Sequence, residues 1–305
     1  DASPLRRALR EFLETATRSG TLSASTLSAY RRDLERYLTS CETLGVRRPQ
    51  DITGATVTAH LDGLRESGRS AATLARSLSS VRRLHEHLRV AGVCPTDPTI
   101  GQTPQRVPRR EPDPLTIDEA RRLVDAVRGE DPLTMRNRAI LEILYAAGLR
   151  VSELTALRET DLLLDHTLIR VHGRGARERV VPLGGAAVDA ASRYARFGRP
   201  SLVGAGALSE EQDSAIFFVN AHGGALSRMS VWKIIRSAAD TAGIDRPVSP
   251  QILRHTFATH LLDGGFDLRD VQHLLGHADI STTSIYSRAD DNRLQALHRA
   301  YHPRS

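Results

Sequence analysis

Polar side chains suited to binding a phosphate group are concentrated in four short segments downstream of residue 147. The segments read GLRVSEL at 148–154, GRGARERVVPLG at 173–184, SPQILRHTFATHLLDGG at 249–265 and LLGHADISTTSIY at 274–286. Arg150 and Arg254 offer forked, permanently charged donors that match the geometry of a phosphate. The two arginines are therefore candidate phosphate clamps.

Local sequence signals predict how these arginines are positioned. Arg150 and Glu153 stand three residues apart, so on a helix they share a face and Glu153 can hold the guanidinium. A plain surface ion pair is the alternative for such a pair taken alone. Ser249-Pro250 is an N-cap and N1 pair, which predicts a new helix with Arg254 near its positive end.

Two further side chains could take part, but each has a structural alternative. Gly276 can end a helix in a left-handed turn, which would leave His277 at a helix terminus, although a single histidine is more often structural. Tyr286 follows His277 by nine residues beyond a capped turn at Ser281, and a single tyrosine is more often part of a core. These two assignments stay open on the residues alone.

The pattern from Pro4 to about Gly92 is helical throughout, with apolar residues in two stripes at helical spacing. The stripes are Leu27, Tyr30, Leu34, Tyr37 and Leu38, and Leu74, Leu78, Val81, Leu84 and Leu88. Arginines of both helices lie away from these stripes, which is typical of a solvated face. Two such helices together favour a DNA-facing surface. The arginines are Arg31, Arg32, Arg76, Arg82 and Arg83.

A linker follows, because the segment CPTDPTIGQTPQRVPRREPDP holds six prolines and three arginines and has no helical or strand period. Its arginines, Arg106, Arg109 and Arg110, could contact phosphates if the linker crosses a duplex. A capping box at Thr116 and Glu119 then begins a second domain, in which residues 168–181 read as a β-hairpin. Residues 216–219 read as a short strand.

The composition of the chain limits the kinds of partner and compartment that we expect for it. The chain has 305 residues and a net charge of +6 with a pI near 9.9, which mildly favours an anionic partner such as nucleic acid. Cys41 and Cys94 give neither a disulfide framework nor metal-ligand spacing. No apolar run is long enough to cross a membrane and no signal peptide is evident, so we expect a cytoplasmic protein without membrane contact.

The order and spacing of the four segments resemble the tyrosine recombinase family, and within it the Xer subgroup that resolves chromosome dimers. The resemblance extends to LSASTLSAYRRDLERYL near the start and LHRAYHPR at the end of the chain. It implies a mainly α fold with a small β-sheet in the catalytic domain (α+β). The implied parts are an all-helical, SAM-like core-binding domain at 1–95, the linker at 96–114, a catalytic domain at 115–291 and a tail for protomer contact at 292–305.

The resemblance also implies roles for individual residues. Arg150 and Arg254 would clamp the phosphate, with Glu153 supporting Arg150; His277 would add a hydrogen bond and Tyr286 would be the nucleophile. Two catalytic positions depart from the family pattern: the hairpin lysine that protonates the leaving 5′-oxygen is Arg174, and the histidine three residues before Arg254 is Gln251.

The implied reaction is transesterification through a 3′-phosphotyrosyl link, with no cofactor and no metal. The implied partners are a specific double-stranded DNA site, a second copy or a paired Xer recombinase in a tetramer, and an FtsK-type DNA translocase. Three alternatives remain: a DNA-binding homologue that has lost its chemistry, a type IB topoisomerase, and a metalloenzyme using His273 and His277. The absence of HExxH and of supporting cysteine or carboxylate spacing argues against the metalloenzyme.

Overall fold

The computed structural model describes residues 3–20, 22–103, 113–173, 178–204 and 216–276, together with residues 296, 298 and 302–304. The chain divides into two compact units, Asp1–Arg110 and Glu111–Ser305. Within the described residues the fold is mainly helical with one small antiparallel sheet, which confirms the predicted fold class. No helix among these residues is long and apolar enough to cross a bilayer.

Four helices form the first unit: α1 (Pro4–Arg18), α2 (Ala24–Thr43), α3 (Gly54–Glu66) and α4 (Ala71–Val90). A hydroxyl side chain caps the start of each helix by accepting a backbone N–H, which supplies a partner that the first turn lacks. The predicted stripes lie inside, since Leu34, Tyr37 and Leu38 of α2 pack with Leu78, Val81 and their neighbours on α4.

The second unit holds eight described helices and three strands. The helices are α5 (Ile117–Asp125), α6 (Pro132–Ala147), α7 (Val151–Thr155), α8 (Gly185–Arg193), α9 (Arg199–Gly204), α10 (Arg228–Thr241), α11 (Pro250–Asp263) and α12 (Leu268–Leu275). A π-helical turn at Tyr194–Gly198 joins α8 to α9. Helix α6 is buried along most of its length and forms the centre of this unit's core.

The sheet has the order β1 (Leu162–Leu163), β2 (Leu168–His172) and β3 (Glu178–Pro182). Strands β2 and β3 pair from Leu168 opposite Pro182 to His172 opposite Glu178, which confirms the predicted hairpin. The predicted strand at 216–219 is wrong, because Ile216 and Val219 make only isolated bridges to Arg158 and Ala225. Residues 216–219 are apolar because the segment is buried, since Phe217 and Phe218 pack against Tyr194.

Candidate active site

Gly148 ends helix α6 in a left-handed conformation, with a φ of 56°. A Cβ atom at this position would lie 2.3 Å from Cδ1 of Phe257 on α11, so the close packing of α6 and α11 also requires glycine. The chain turns sharply here and presents Arg150 at the start of α7. The glycine of the GLR segment therefore sets the position of the first candidate clamp.

Arg150 is held by Glu153 in two ways. The Arg150 backbone N–H donates to Glu153 Oε2 at 2.8 Å, and its Nη1 donates to Oε1 at 2.8 Å. The predicted pair is thus confirmed, but its geometry differs from the prediction: Arg150 is the N-cap of α7 and does not share a helical face with Glu153. The Arg150 side chain is 43% exposed whereas that of Glu153 is 5% exposed, so the guanidinium faces outward from a buried support.

Arg254 lies in the first two turns of α11. The Ser249 side chain caps this helix by accepting from Ile252 N at 3.3 Å and Pro250 is its first residue, as predicted. Arg254 Nη1 donates to Gly148 O at 2.6 Å and Nη2 donates to Leu275 O at 2.5 Å. Within the described residues these bonds occupy two of its roughly five N–H donors, so three remain without a hydrogen-bond partner there.

Burial lowers the pKa of Arg254 to about 10, with a further contribution from the positive charge of Arg150. The guanidinium remains charged at neutral pH. Its Nη1 lies 3.9 Å from Glu153 Oε2, so one carboxylate is shared by both candidate clamps. Two cations held this close to one anion leave an excess of positive charge that a phosphate would neutralise.

The third cation of this cluster, Arg179, was missed by sequence reasoning. It lies on β3, where the alternation of the strand points it inward with Val181, and it is 8% exposed. Its Nη1 and Nη2 donate to Glu153 Oε1 and Oε2, each at 2.9 Å. An arginine at an inward position of a strand is the signal that could have revealed it, because buried charge requires a partner.

Glu153 remains ionised in this setting. Burial alone would raise its pKa, but hydrogen bonds and charge attraction from Arg179, together with bonds from Arg150, hold the pKa below its ordinary value. The described part of the site therefore consists of three guanidiniums around one carboxylate. Such a site is suited to bind an oxyanion and to stabilise negative charge that develops on it.

Comparison with known proteins shows the family to which the chain belongs. Residues 114–293 match the model of the phage integrase family, and residues 9–92 match that of its N-terminal SAM-like domain. A tyrosine recombinase XerD from Halalkalibacterium halodurans is 39% identical over 298 residues, which cover 97% of this chain and 98% of that protein. The chain belongs to the phage integrase family of tyrosine recombinases. It is accordingly a DNA strand transferase that acts by transesterification.

Solved structures of this family share the fold. The XerH site-specific recombinase bound to difH substrate has a TM-score of 0.65 and 20% identity, with 94% of this chain and 83% of that chain covered. A lambda integrase tetramer bound to a Holliday junction has a TM-score of 0.66 and 18% identity, with 94% and 81% covered. The helical unit and the α+β unit of this recombinase are thus common to structures of DNA-bound relatives.

The remaining predicted catalytic residues are only partly described. Gln251 is exposed in the first turn of α11, three residues before Arg254, so the two side chains lie on the same side of the helix. Arg174, His277 and Tyr286 lie outside the described residues. Gly276 does end α12 in a left-handed turn with a φ of 65°, as predicted for the residue before His277.

The base of the hairpin that carries Arg174 is described, and it holds a histidine that the sequence reading left out. His172 lies between two carboxylates, with Nε2 2.8 Å from Asp161 Oδ1 and Nδ1 2.9 Å from Glu178 Oε1. The contacts tie together the two strands on either side of the turn.

The predicted DNA-binding arginines of the helical unit are all exposed, but they differ in their contacts. Arg76 donates to the buried carboxylate of Asp33 at 2.8 and 3.0 Å, Arg82 donates to Gln102 O, and Arg83 pairs with Glu86 at 3.2 Å. Arg31 and Arg32 are exposed on α2, and the three linker arginines Arg106, Arg109 and Arg110 lie outside the described residues. Their contact with DNA stays a prediction.

Proposed function

We propose that this recombinase cuts one DNA strand with Tyr286 while Arg150 and Arg254 neutralise the scissile phosphate. The observation that supports this role is the shared carboxylate of Glu153, which holds both arginines close together and leaves N–H donors of each one unused. His277, the residue after the C-cap Gly276 of α12, would add a third donor. The tyrosine oxygen forms a bond to phosphorus as the 5′-oxygen leaves, giving a 3′-phosphotyrosyl link.

The reverse step completes strand exchange. A 5′-hydroxyl from another strand attacks the phosphotyrosyl link, so that a new phosphodiester forms and the tyrosine is released without ATP. No metal is required in this scheme, because the guanidiniums supply the positive charge. Among the described residues no group of three potential metal ligands lies together.

Covalent trapping on a nicked suicide substrate tests the proposal. The native chain should form an adduct with the 3′ phosphate, and Tyr286→Phe should bind the same DNA but form no adduct, because only the hydroxyl is removed. Lys233→Met serves as a control for an unrelated surface change and should leave trapping intact. An adduct with Tyr286→Phe would contradict the assignment of the nucleophile.

For the biological role we propose an XerD-type function, namely resolution of chromosome dimers at a dif-like site in the cytoplasm. The identity to a protein named XerD over nearly the full chain supports this role. A tetramer of this chain, alone or with a paired Xer recombinase, would act on the site, and an FtsK-type translocase would regulate it. Footprinting on genomic fragments, followed by recombination assays on the bound site, tests the role.

The C-terminal tail is proposed to link protomers in that tetramer. In the single chain its described residues contact their own α6: Arg304 Nε donates to Glu142 Oε2 at 2.9 Å, and His298 Nε2 lies 2.9 Å from Ala146 O. We propose that the same contacts form between neighbouring protomers on DNA. Glu142→Gln would remove one of the two carboxylate partners of Arg304, the other being Asp125, and it should weaken assembly on DNA more than binding of a single protomer.

A second candidate function is DNA binding without efficient cleavage. It is motivated by Arg174 and Gln251, which replace the lysine and histidine of the family pattern. On this alternative the chain would occupy its site and support a catalytically active partner. The suicide substrate separates the two, because a silent homologue would bind the nicked site and give no adduct.

A further inference from the structure

The carboxylate of Glu153 has no acceptor position to spare. Oε1 accepts from Arg150 Nη1 and from Arg179 Nη1, while Oε2 accepts from the Arg150 backbone N–H and from Arg179 Nη2, at distances of 2.8–2.9 Å. An ionised carboxylate offers about four acceptor sites, so all of them are used. Glu153 cannot rotate toward or away from Arg150 without breaking its bonds to Arg179.

The same three guanidiniums also cap the end of α12. Its last carbonyl groups have no partner within the helix, and each one accepts from a different arginine. The pairs are Leu274 O with Arg179 Nε at 2.6 Å, Leu275 O with Arg254 Nη2 at 2.5 Å, and Gly276 O with Arg150 Nη2 at 3.3 Å. The negative end of the helix dipole adds to these attractions.

Arg179 is the buried member of this group, and it donates hydrogen bonds both to the Glu153 carboxylate and to Leu274 O at the end of α12. Its guanidinium packs against Gly276, where φ is 65° and a Cβ atom would lie 3.1 Å from Nη1, so the left-handed turn and the close approach both favour glycine at the end of α12. Its burial leaves it without a surface from which to contact DNA. Its bonds nonetheless reach Glu153, which supports Arg150, and Leu274, three residues before His277.

We propose that Arg179 is a positioning residue for strand cleavage: it fixes the Glu153 carboxylate that aims Arg150, and it anchors the end of α12 from which the chain continues to His277. The inference rests on the proposed function, because it assigns the role of Arg179 within that same site. A purely structural ion pair would stabilise the fold without affecting the orientation of Arg150.

The test compares Arg179→Met and Arg179→Lys with Arg199→Met. Arg199 is a matched control because it is equally buried at 8% exposure, and it pairs with Glu159 and with main-chain carbonyls outside the site. Lysine keeps the charge but lacks the fork that reaches both oxygens, so Arg179→Lys should lie between the native chain and Arg179→Met.

The first readout does not depend on cleavage. In protein labelled with ¹³C-glutamate, the Glu153 carboxyl signal, identified by its loss in Glu153→Gln, should titrate at higher pH in Arg179→Met than in the native chain. Arg199→Met should leave it unchanged. An unchanged Glu153 titration in Arg179→Met would overturn the proposal, even if the native chain cleaves DNA.

The second readout is single-turnover cleavage of the suicide substrate. Arg179→Met should cleave about 10²-fold more slowly, as expected when a catalytic group is displaced by about 1 Å. DNA affinity should change by less than roughly threefold, since no phosphate contact is lost. For Arg179→Met, the fall in cleavage rate on the acid side of the pH–rate profile should move to higher pH. Slowing equal to that of Arg199→Met, with an unshifted acid limb, would overturn the positioning role and leave the proposed function intact.

Discussion

Acidification should release the C-terminal tail from α6 because two buried histidines hold it there in neutral form. Burial lowers the pKa of His298 to about 4 and that of His302 to about 3, and their rings stack at 4.6 Å between centroids. Each histidine also bonds a main-chain carbonyl of α6, His298 to Ala146 and His302 to Tyr145. Protonation would therefore place two positive charges against one another inside a buried contact that already holds the positive charge of Arg304.

Proton linkage gives the direction in which pH changes the docking of the tail. A released histidine titrates near pH 6.5, so the released state binds more protons than the docked state between about pH 6.5 and pH 4, and docking weakens as the pH falls through that range. At pH 5.5 each histidine contributes about 1.4 kcal/mol against docking, and the pair about 3 kcal/mol. Docking is unaffected by these groups above about pH 7.5.

Hydrogen exchange measures this directly. The His302 backbone N–H donates to His298 O at 2.8 Å, and its protection, corrected for intrinsic exchange, should fall about 100-fold between pH 7.5 and pH 5.5. His298→Gln combined with His302→Gln should remove most of that fall. His166→Gln, at an exposed histidine of the same unit, should leave it unchanged. Equal protection at both pH values in the native chain would refute the reasoning.

Three further outcomes are expected. Gly148→Ala should lower the free energy of unfolding by about 3 kcal/mol in urea titrations, since it combines a left-handed φ with overlap of Phe257, and a loss below about 0.5 kcal/mol would contradict this packing. The native chain should cleave an ordinary phosphodiester slowly and a 5′-bridging phosphorothiolate much faster, because Arg174 gives up a proton less readily than lysine. Arg174→Lys should narrow the difference in cleavage rate between the two substrates, and Gln251→His should raise the rate on the oxygen substrate by less. If the native chain is already fast on the oxygen substrate and Arg174→Lys slows it, this account of Arg174 is wrong. Covalent adducts should form in EDTA, whereas strict dependence on Mg²⁺ would count against charge neutralisation by arginines.

Features with a local cause could be predicted from the sequence. The capping box at Thr116 and Glu119, the helix start at Ser249-Pro250 and the left-handed end at Gly276 depend on residues within a few positions of one another, and the structure confirms each of them. The β2–β3 hairpin was predictable for the same reason, since β-branched residues flank a turn rich in glycine.

Features that depend on tertiary contacts could not be predicted. Nothing near Arg179 in the chain indicates that its partners are Glu153 and Leu274, which lie 26 and 95 residues away. Likewise the sequence places Arg76 on the arginine-bearing face of α4 but gives no sign of its bond to the buried Asp33 on α2. Its contact with DNA stays a prediction. Pairing of buried charges across a fold is set by packing, which a single sequence does not encode at any fixed spacing.

The contacts of the two candidate clamps, Arg150 and Arg254, differ in how they can change during evolution. Arg254 is held by the carbonyl oxygens of Gly148 and Leu275, which belong to the main chain and survive the replacement of any side chain that preserves the backbone. Arg150 has one longer bond to a main-chain carbonyl, Gly276 O at 3.3 Å, and its two 2.8 Å bonds depend on the side chain of Glu153, which a single base change could remove. Lineages that lose activity by drift should therefore lose the alignment of Arg150 first and keep Arg254 in place, so that a decaying copy would still grip a phosphate after it ceased to cleave.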